Sequence, residues 1–352
     1  MTFTQSRVRG DLGAATLRRL LLVPVLAGAL AVVALPACST GGGDRLLVYS
    51  GRSKELIGPL LTRFAEESDV KIDVKYGDSA DLALTIDEEG DRTKVDVFIS
   101  QSPGATAYLD EKERLTKLPD AVTDLVPEED SASDGNWVGL TGRVRVLVYN
   151  KDLVSADELP TSVFDLTDPA YEGRVGVAPT NGSFQDFVTA ARQDVGDEQM
   201  AEWLDGMAAN DSPTFPNNVA IVEAVAAGDL EMGLVNHYYI AQAKIEDPDT
   251  LAEVHYFPEG DPGSLLLVTA AGRLKASDQT DDAEELIEFL LSKRSQEYFA
   301  TETQEYPLID GVEPDKGIPP LDEINATRID LDDLGGGLQQ TQKLIEESGL
   351  GS

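Results

Sequence analysis

Short apolar runs alternate with amphipathic stretches along most of this chain of 352 residues. The runs at residues 46–49, 70–74 and 95–99 have the length and composition of buried strands. Between them, residues 53–65 and 80–89 place apolar side chains every three or four positions, which is the spacing of helices that bury one side. This alternation predicts a parallel sheet covered by helices, and therefore an α/β fold.

Two longer apolar stretches predict a second lobe. Residues 137–149 are too extended for one ordinary strand, so we expect the chain to cross there from a first lobe to a second and to return along residues 264–270. The mature length of just over 300 residues also exceeds what one hydrophobic core ordinarily holds. We predict an N-terminal lobe of residues 45–142 and 271–352 and a C-terminal lobe of residues 143–270. The remaining predicted elements are a strand at residues 175–178 and helices at residues 184–192, 198–209, 218–227, 283–291, 295–301 and 338–347.

Residues 1–37 have the features of an export signal. Four arginines precede an apolar stretch at residues 20–33, which is too short for a comfortable membrane span, and small residues follow it. The single cysteine, Cys38, ends the order Leu-x-Ala-Cys of a bacterial lipobox. We therefore expect lipidation of Cys38 and a flexible tether over residues 38–44, with an ordinary signal and an incidental cysteine as the alternative. A lipidated Cys38 leaves the mature chain without a thiol for a disulfide or for catalysis.

The chain is strongly acidic. Its formal net charge is −36, and residues 1–37 carry four arginines and one aspartate, which leaves −39 for the mature chain. Such a surface repels nucleic acid and anionic lipid, so we expect no nucleic-acid partner. We interpret the diffuse acidity as a solvated surface rather than as a cation site.

The apolar run at residues 232–235 ends in Asn236-His237-Tyr238-Tyr239. We predict a strand here whose carboxyl end opens into a cleft, which is where ligands bind in open α/β sheets. A phenol has a pKa of about 10, but a highly charged cation can displace its proton, and ferric iron is such a cation. Interface or capping aromatics are the alternative. In an extended segment His237 would point away from Tyr238, so we expect neither it nor His255 to be a ligand.

Three loops that lead into predicted helices are candidate anion sites. They are Ser50-Gly51-Arg52-Ser53, Ser100-Gln101-Ser102 and Thr180-Asn181-Gly182-Ser183. Backbone amides at the start of a helix can hold an anion, and Arg52 would add a fixed positive charge. Ordinary turn and N-cap chemistry explains each loop equally well.

Several segments, taken together and in order, resemble those of one known family. They are Val48-Tyr-Ser-Gly-Arg52, Ser53-Lys-Glu55, Asp96-Val-Phe98, Trp137-Val-Gly-Leu-Thr-Gly-Arg-Val-Arg-Val-Leu-Val-Tyr149, Pro179-Thr-Asn-Gly-Ser-Phe184, Asn217-Asn-Val-Ala220, Asn236-His-Tyr-Tyr239 and Glu305-Tyr-Pro-Leu308. With the lipoprotein signal, they resemble the ferric-iron-binding solute receptors of bacterial ABC transporters over residues 45–348. The resemblance implies the two-lobed periplasmic-binding-protein fold of type II, with crossover strands as the hinge.

The resemblance also implies the metal ligands. The paired iron-binding tyrosines of the family match Tyr238 and Tyr239, and an additional tyrosine from the crossover strand matches Tyr149. Three phenolates would neutralise Fe³⁺. Ser53 and Lys54 stand where many members have a histidine or a histidine followed by tyrosine, and Gln101 stands where some have a glutamate. This departure indicates a tyrosine-only subset in which carbonate, citrate or phosphate completes the coordination sphere.

For the anion, the resemblance implies a second group of residues. Arg52 would hold it, with Arg143 or Arg145, while Gln101 and Asn236 would lie beside the site. In phosphate-using relatives the matching anion contacts are Asn181, Gly182, Ser183 and Asn217.

We therefore expect a lipid-anchored receptor rather than an enzyme. It would be a monomer on the cell surface or in a periplasm, and would close on ferric ion or a ferric chelate and deliver it to a membrane permease and its ATPase. The same fold with a phosphonate, thiamine, a polyamine or an oxyanion as solute is the nearer alternative. A lipid-anchored hydrolase is disfavoured, because the mature chain has two histidines and neither a Gly-x-Ser-x-Gly nor a His-Glu-x-x-His motif.

Overall fold

A computed structural model describes residues 45–324, 326–328 and 334–350 of the chain. The predicted export signal, Cys38 and the predicted tether lie outside the described residues. Within these ranges no helix combines the length and the apolar character needed to cross a membrane.

Three parallel strands begin the sheet, as predicted. β1 (Leu46–Ser50) lies between β2 (Ile72–Tyr76) and β3 (Val97–Ser100). Their connections are the helices α1 (Lys54–Ser68) and α2 (Ser79–Glu89), which bury apolar residues at helical spacing. The carboxyl ends of the three strands therefore lie at one edge of the sheet, where polar loops follow them.

A long strand and a set of shorter elements complete the fold. They are α3 (Pro103–Glu111), β4 (Leu115–Thr116), α4 (Asp120–Thr123), β5 (Trp137–Asn150), β6 (Val175–Gly176), α5 (Gly182–Val195), α6 (Asp197–Ala209), α7 (Asn218–Ala227), β7 (Met232–Asn236), α8 (His237–Glu246), β8 (Ala252–His255), β9 (Leu266–Leu274), α9 (Thr280–Leu290), α10 (Lys293–Glu302), β10 (Tyr306–Pro307), α11 (Leu321–Ile324) and α12 (Leu334–Ser348).

Strand β5 is shared by two sheets. Its residues 137–144 pair antiparallel with β9, which also pairs with β3. Its residues 145–150 pair antiparallel with β7 and β8. The predicted crossings at residues 137–149 and 264–270 are therefore present as β5 and β9.

Separate hydrophobic cores lie on the two sides of this crossing. The first lobe has a core that includes Phe98 and Leu109, and the second lobe has one that includes Phe187 and Trp203. Helix α12 joins both cores, because it packs against α3, α5 and α6 and its Ile345 belongs to the second core. The lobe boundaries given above stay a prediction.

Candidate functional site

The tyrosine pair lies at the start of a helix. β7 ends at Asn236, whose backbone is extended with φ −96° and ψ 147°, and α8 begins at the next residue. The extended conformation expected for His237 and Tyr238 is therefore wrong. The aromatic residues favour a strand, but the segment after them, residues 241–244, is Ala-Gln-Ala-Lys and favours a helix. The two phenols thus belong to the first helical turn at the carboxyl end of a buried strand.

Tyr238 is the central residue of the site. Its side chain has 0% exposure, and its hydroxyl has no hydrogen-bond partner among the described residues. Its ring packs on that of Tyr239 with 4.1 Å between centroids, and Tyr239 is only half-buried. Burial raises the pKa of Tyr238 well above its usual value, although the charges of Arg52 and Arg143 act in the opposite direction. A buried hydroxyl without a partner is unfavourable, so this one indicates a ligand-binding position.

His237 fixes the start of α8 to the crossover strand. Its Nδ1 accepts a hydrogen bond from the Val144 N–H at 3.1 Å, and its ring packs 4.7 Å from that of Tyr306. Burial lowers its pKa to about 3, so the ring is neutral with its proton on Nε2. In a helix its side chain is turned by about 100° from that of Tyr238 rather than pointing opposite to it, and its contacts are structural.

Two arginines from β5 lie next to the tyrosines. Arg143 and Arg145 are two positions apart, so they project from the same side of the strand, and both have 0% exposure. Arg143 Nη1 donates to Thr269 Oγ1 at 2.8 Å, and Arg145 Nη2 donates to the Leu234 carbonyl at 2.8 Å. The other two nitrogens of each guanidinium have no partner among the described residues.

Arg145 is held by aromatic rings. Its guanidinium lies 5.6 Å from the ring centre of Phe184 and 5.7 Å from that of Phe187. Burial lowers its pKa to about 9, while proximity to Tyr239 works to raise it. A buried cation without a paired anion is strongly unfavourable, so Arg143 and Arg145 together indicate that an anion binds here.

Arg52 has a different partner from the one predicted. Its Nη1 donates to Glu305 Oε1 at 2.9 Å and its Nη2 to Glu305 Oε2 at 2.5 Å, and neither side chain is exposed. Thr141 and Thr303 also donate to this carboxylate. Glu305 therefore engages both Nη atoms of Arg52, whereas its Nε has no partner among the described residues, and the expectation that Arg52 holds the exogenous anion stays a prediction. Glu305 lies 253 positions after Arg52, and no local pattern in the sequence pairs the two residues.

Tyr149 does not join the tyrosine pair. It lies opposite Met232 at the start of β7, whereas the site is at Asn236, opposite Arg145. Four residues of strand separate these positions by about 13 Å. Because β5 and β7 belong to the same sheet, a movement of the lobes does not close this gap. The structure thus contradicts the prediction of Tyr149 as a third ligand; burial and Glu253 raise its pKa.

The predicted anion contacts of the second lobe are helix caps. Asn181 caps α5, accepting from the Ser183 N–H at 3.1 Å and from its hydroxyl at 2.6 Å, and Gly182 is the first residue of that helix. Asn217 caps α7 and accepts from the Ala220 N–H. The side chains of both asparagines therefore already satisfy the starts of their own helices.

Asn236 and Gln101 lie at strand ends, as expected. The Asn236 side chain is buried and its Nδ2 has no partner among the described residues, which fits a place beside a ligand. Gln101 follows β3, is half-buried, and its backbone N–H donates to Ser79 Oγ at 2.9 Å.

The protein donors available here are phenols. In the part of the chain that the structure describes, no three His, Cys, Asp or Glu side chains cluster as they would around a metal ion. The arrangement offers a stacked pair of tyrosines, with two buried guanidinium groups beside them. Phenolate oxygens suit a hard trivalent cation, and the guanidinium groups suit an oxyanion.

Comparisons with known proteins agree with this chemistry. A family model described as bacterial extracellular solute-binding protein matches residues 92–334. The major ferric iron-binding protein of Neisseria meningitidis serogroup A is 30% identical over 328 residues, which cover 92% of this chain and 98% of that protein. The Fe(3+)-binding periplasmic protein of Serratia marcescens is 26% identical over 322 residues, which cover 91% and 94%. The crystal structure of iron-bound HitA from Pseudomonas aeruginosa is 31% identical, with a TM-score of 0.83 over 87% of this chain and 99% of that chain. This likeness confirms the predicted two-lobed fold.

Proposed function

This chain belongs to the bacterial extracellular solute-binding protein family, and we propose that its solute is ferric iron, bound by Tyr238 and Tyr239 together with an anion on Arg143 and Arg145. The observation that carries the proposal is the fully buried Tyr238 hydroxyl, which has no partner among the described residues and lies within electrostatic reach of Arg143. The names of the Neisseria and Serratia relatives support ferric ion as the solute.

The tyrosines bind the metal as phenolates. Ferric ion displaces both phenolic protons, because its own charge outweighs the burial that keeps Tyr238 protonated in its absence. The positive charges of Arg52 and Arg143 favour the deprotonated form of Tyr238. Binding therefore releases protons, and it is stronger at higher pH for as long as the ferric ion stays in solution.

The anion completes the site. Two phenolates do not neutralise three positive charges, and Ser53, Lys54 and Gln101 contribute no strong ferric ligand. Arg143 and Arg145 have four guanidinium nitrogens without partners, which is the donor set for a planar or tetrahedral oxyanion. Carbonate, phosphate and citrate all present suitable oxygens, and a ferric chelate would bring the metal and the anion together.

Transport follows from the two-lobed fold. The lobes close on the ion by bending at the shared strands, and the closed protein presents it to an ABC permease with its ATPase, without catalysis. The family acts outside the cytoplasm. Lipidation at Cys38 would keep the monomeric receptor at the membrane, and this part of the proposal rests on the lipobox order alone.

A titration tests the proposal. The intact iron-free chain, purified in detergent, is titrated with ferric citrate and, separately, with ferric ion plus bicarbonate while the visible spectrum is recorded. We expect an orange-to-red tyrosinate-to-iron band in the native chain and none in Tyr238→Phe. Dependence of the band on the added anion would identify the co-ligand. A colourless native chain that retains no iron would overturn the assignment and leave a receptor for an organic or oxyanion solute.

A further inference from the structure

One carboxylate of the second lobe is bound by a helix of the first. Asp186 belongs to α5, whose Phe184 and Phe187 lie in the core of the second lobe. Its Oδ2 accepts a hydrogen bond from the backbone N–H of Gly104 at 3.1 Å, and the hydroxyl of Ser102 also donates to it. Both donors lie at the start of α3, a helix whose Leu109 lies in the core of the first lobe.

The start of α3 is complementary to this carboxylate. The first N–H groups of a helix have no partner within the helix, and the helix dipole is positive at that end. Asp186 supplies the missing acceptor and the matching charge, and it is 2% exposed. Gly104 leaves the space that the carboxylate needs, because a Cβ at this position would lie 2.4 Å from Asp186 Oδ1.

The same carboxylate is coupled to the proposed iron site. Arg143 lies within electrostatic reach of both the Asp186 carboxylate and Tyr238, so the contact between the lobes and the tyrosine pair share one neighbouring cation. The sequence patterns described above assign no role to Asp186. Asp186 lies between two lobes that must separate to release an ion, and this position indicates a role in holding them together.

We propose that Asp186 is a latch that joins α5 of the second lobe to the start of α3 and slows the escape of ferric ion from the closed site. The identity of the ion rests on the proposed function, whereas the latch itself does not. Opening the lobes removes the carboxylate from two donors and leaves the first turn of α3 without its acceptor. The latch therefore stabilises the closed state relative to the open state before any ion is bound.

The first experiment follows hydrogen exchange at the start of α3 in the intact, iron-free chain by mass spectrometry. We expect the amide of Gly104 to be protected in the native chain and to exchange at least about tenfold faster in Asp186→Ala. Gly104→Ala keeps every charge but forces the carboxylate away, so we expect faster exchange in the first turn of α3 there as well. Equal exchange in the native chain and both variants would overturn the latch, and this result does not depend on iron.

The second experiment measures the loss of the iron band after addition of excess chelator. Asp186→Ala and Gly104→Ala should release iron about tenfold to hundredfold faster than the native chain, the range expected for loss of a hydrogen bond to a charged group. Ser102→Ala, which removes one donor only, should give a smaller acceleration and guards against misfolding of the other variants. Asp168→Asn is the matched control, because Asp168 caps the Ala170 N–H within one lobe. Native release rates in all three latch variants would overturn the proposal. A native chain without any iron band would instead count against the proposed function and leave the exchange result standing.

Discussion

Arg52 and Glu305 form a bidentate ion pair that solvent does not reach, with nitrogen–oxygen distances of 2.9 and 2.5 Å. Thr141 and Thr303 donate to the same carboxylate at 3.1 and 2.8 Å, so its acceptor positions are filled. The carboxylate of Glu305 thus neutralises the charge of Arg52, which follows β1. Among the described residues, Arg143 and Arg145 each have two guanidinium nitrogens without a partner, whereas Arg52 has one, its Nε.

Breaking this pair should destabilise the first lobe. In Glu305→Gln the guanidinium of Arg52 stays buried but loses its counter-charge, which for a buried pair costs about 3–5 kcal/mol. We expect the free energy of unfolding of the iron-free chain to fall by this amount, measured by chemical denaturation. The matched control is Asp73→Asn, which removes the carboxylate of an exposed pair with Arg45. A loss no larger than that of the control would show that the buried pair contributes nothing to stability.

Replacing Arg145, the second arginine of β5, should make the iron-free chain more stable but weaken its binding of iron. Arg145 is a buried cation with two nitrogens unpartnered among the described residues, and a methionine would fill similar space without charge. Arg145→Met should raise the free energy of unfolding of the iron-free chain by about 1–4 kcal/mol and weaken the iron band at a fixed anion concentration. A variant that is both less stable and fully able to bind iron would contradict the role given to Arg145.

The stability of the iron-free chain should depend on His237 between pH 7 and pH 5. The pKa of His237 is lowered to about 3 in the folded protein, against about 6.5 when unfolded, so over this interval only the unfolded chain takes up the proton. The neutral ring therefore stabilises the fold at higher pH, and this stabilisation is lost as the pH falls. We expect a contribution of about 2 kcal/mol from this residue between pH 7 and 5.

Denaturation curves of the native chain and of His237→Gln at pH 7 and pH 5 measure that contribution. The native chain should lose more stability than the variant, by the amount given above. His255→Gln is the control, since His255 is only half-buried. Parallel losses in the native chain and His237→Gln would exclude a buried neutral histidine.

Tyr149→Phe should leave the iron band unchanged. Tyr149 lies in β5 opposite Met232, at the end of β7 far from the tyrosine pair, and β5 and β7 stay in one sheet when the lobes move. Spectral titration of this variant beside Tyr239→Phe tests the point, with loss or shift of the band expected only for Tyr239→Phe. An altered band in Tyr149→Phe would restore Tyr149 as a ligand and require a different pairing of β5.

The sequence was informative where the chemistry is local. The alternation of apolar runs predicts most of the long strands and helices, although not α3, α8 or β8, and the polar residues after the run at 232–235 identify Tyr238 and Tyr239. The Arg52–Glu305 pair joins residues 253 positions apart, so no spacing reveals it. The sequence placed Tyr149 correctly on the crossover strand. Its distance from the tyrosine pair, however, depends on the register between β5 and β7, which the sequence does not reveal.

The shared strand β5 carries a mechanical consequence. Thr141, Arg143 and Arg145 follow each other at alternate positions on one side of it, and they contact Glu305, Thr269 and the Leu234 carbonyl. The strand that must bend when the lobes separate is thus also the strand that positions the guanidinium groups of Arg143 and Arg145 beside the proposed ion site. Ion binding and lobe opening therefore depend on the same strand. A substitution along β5 that changes the affinity for the ion should also change the rate at which the lobes open and release it.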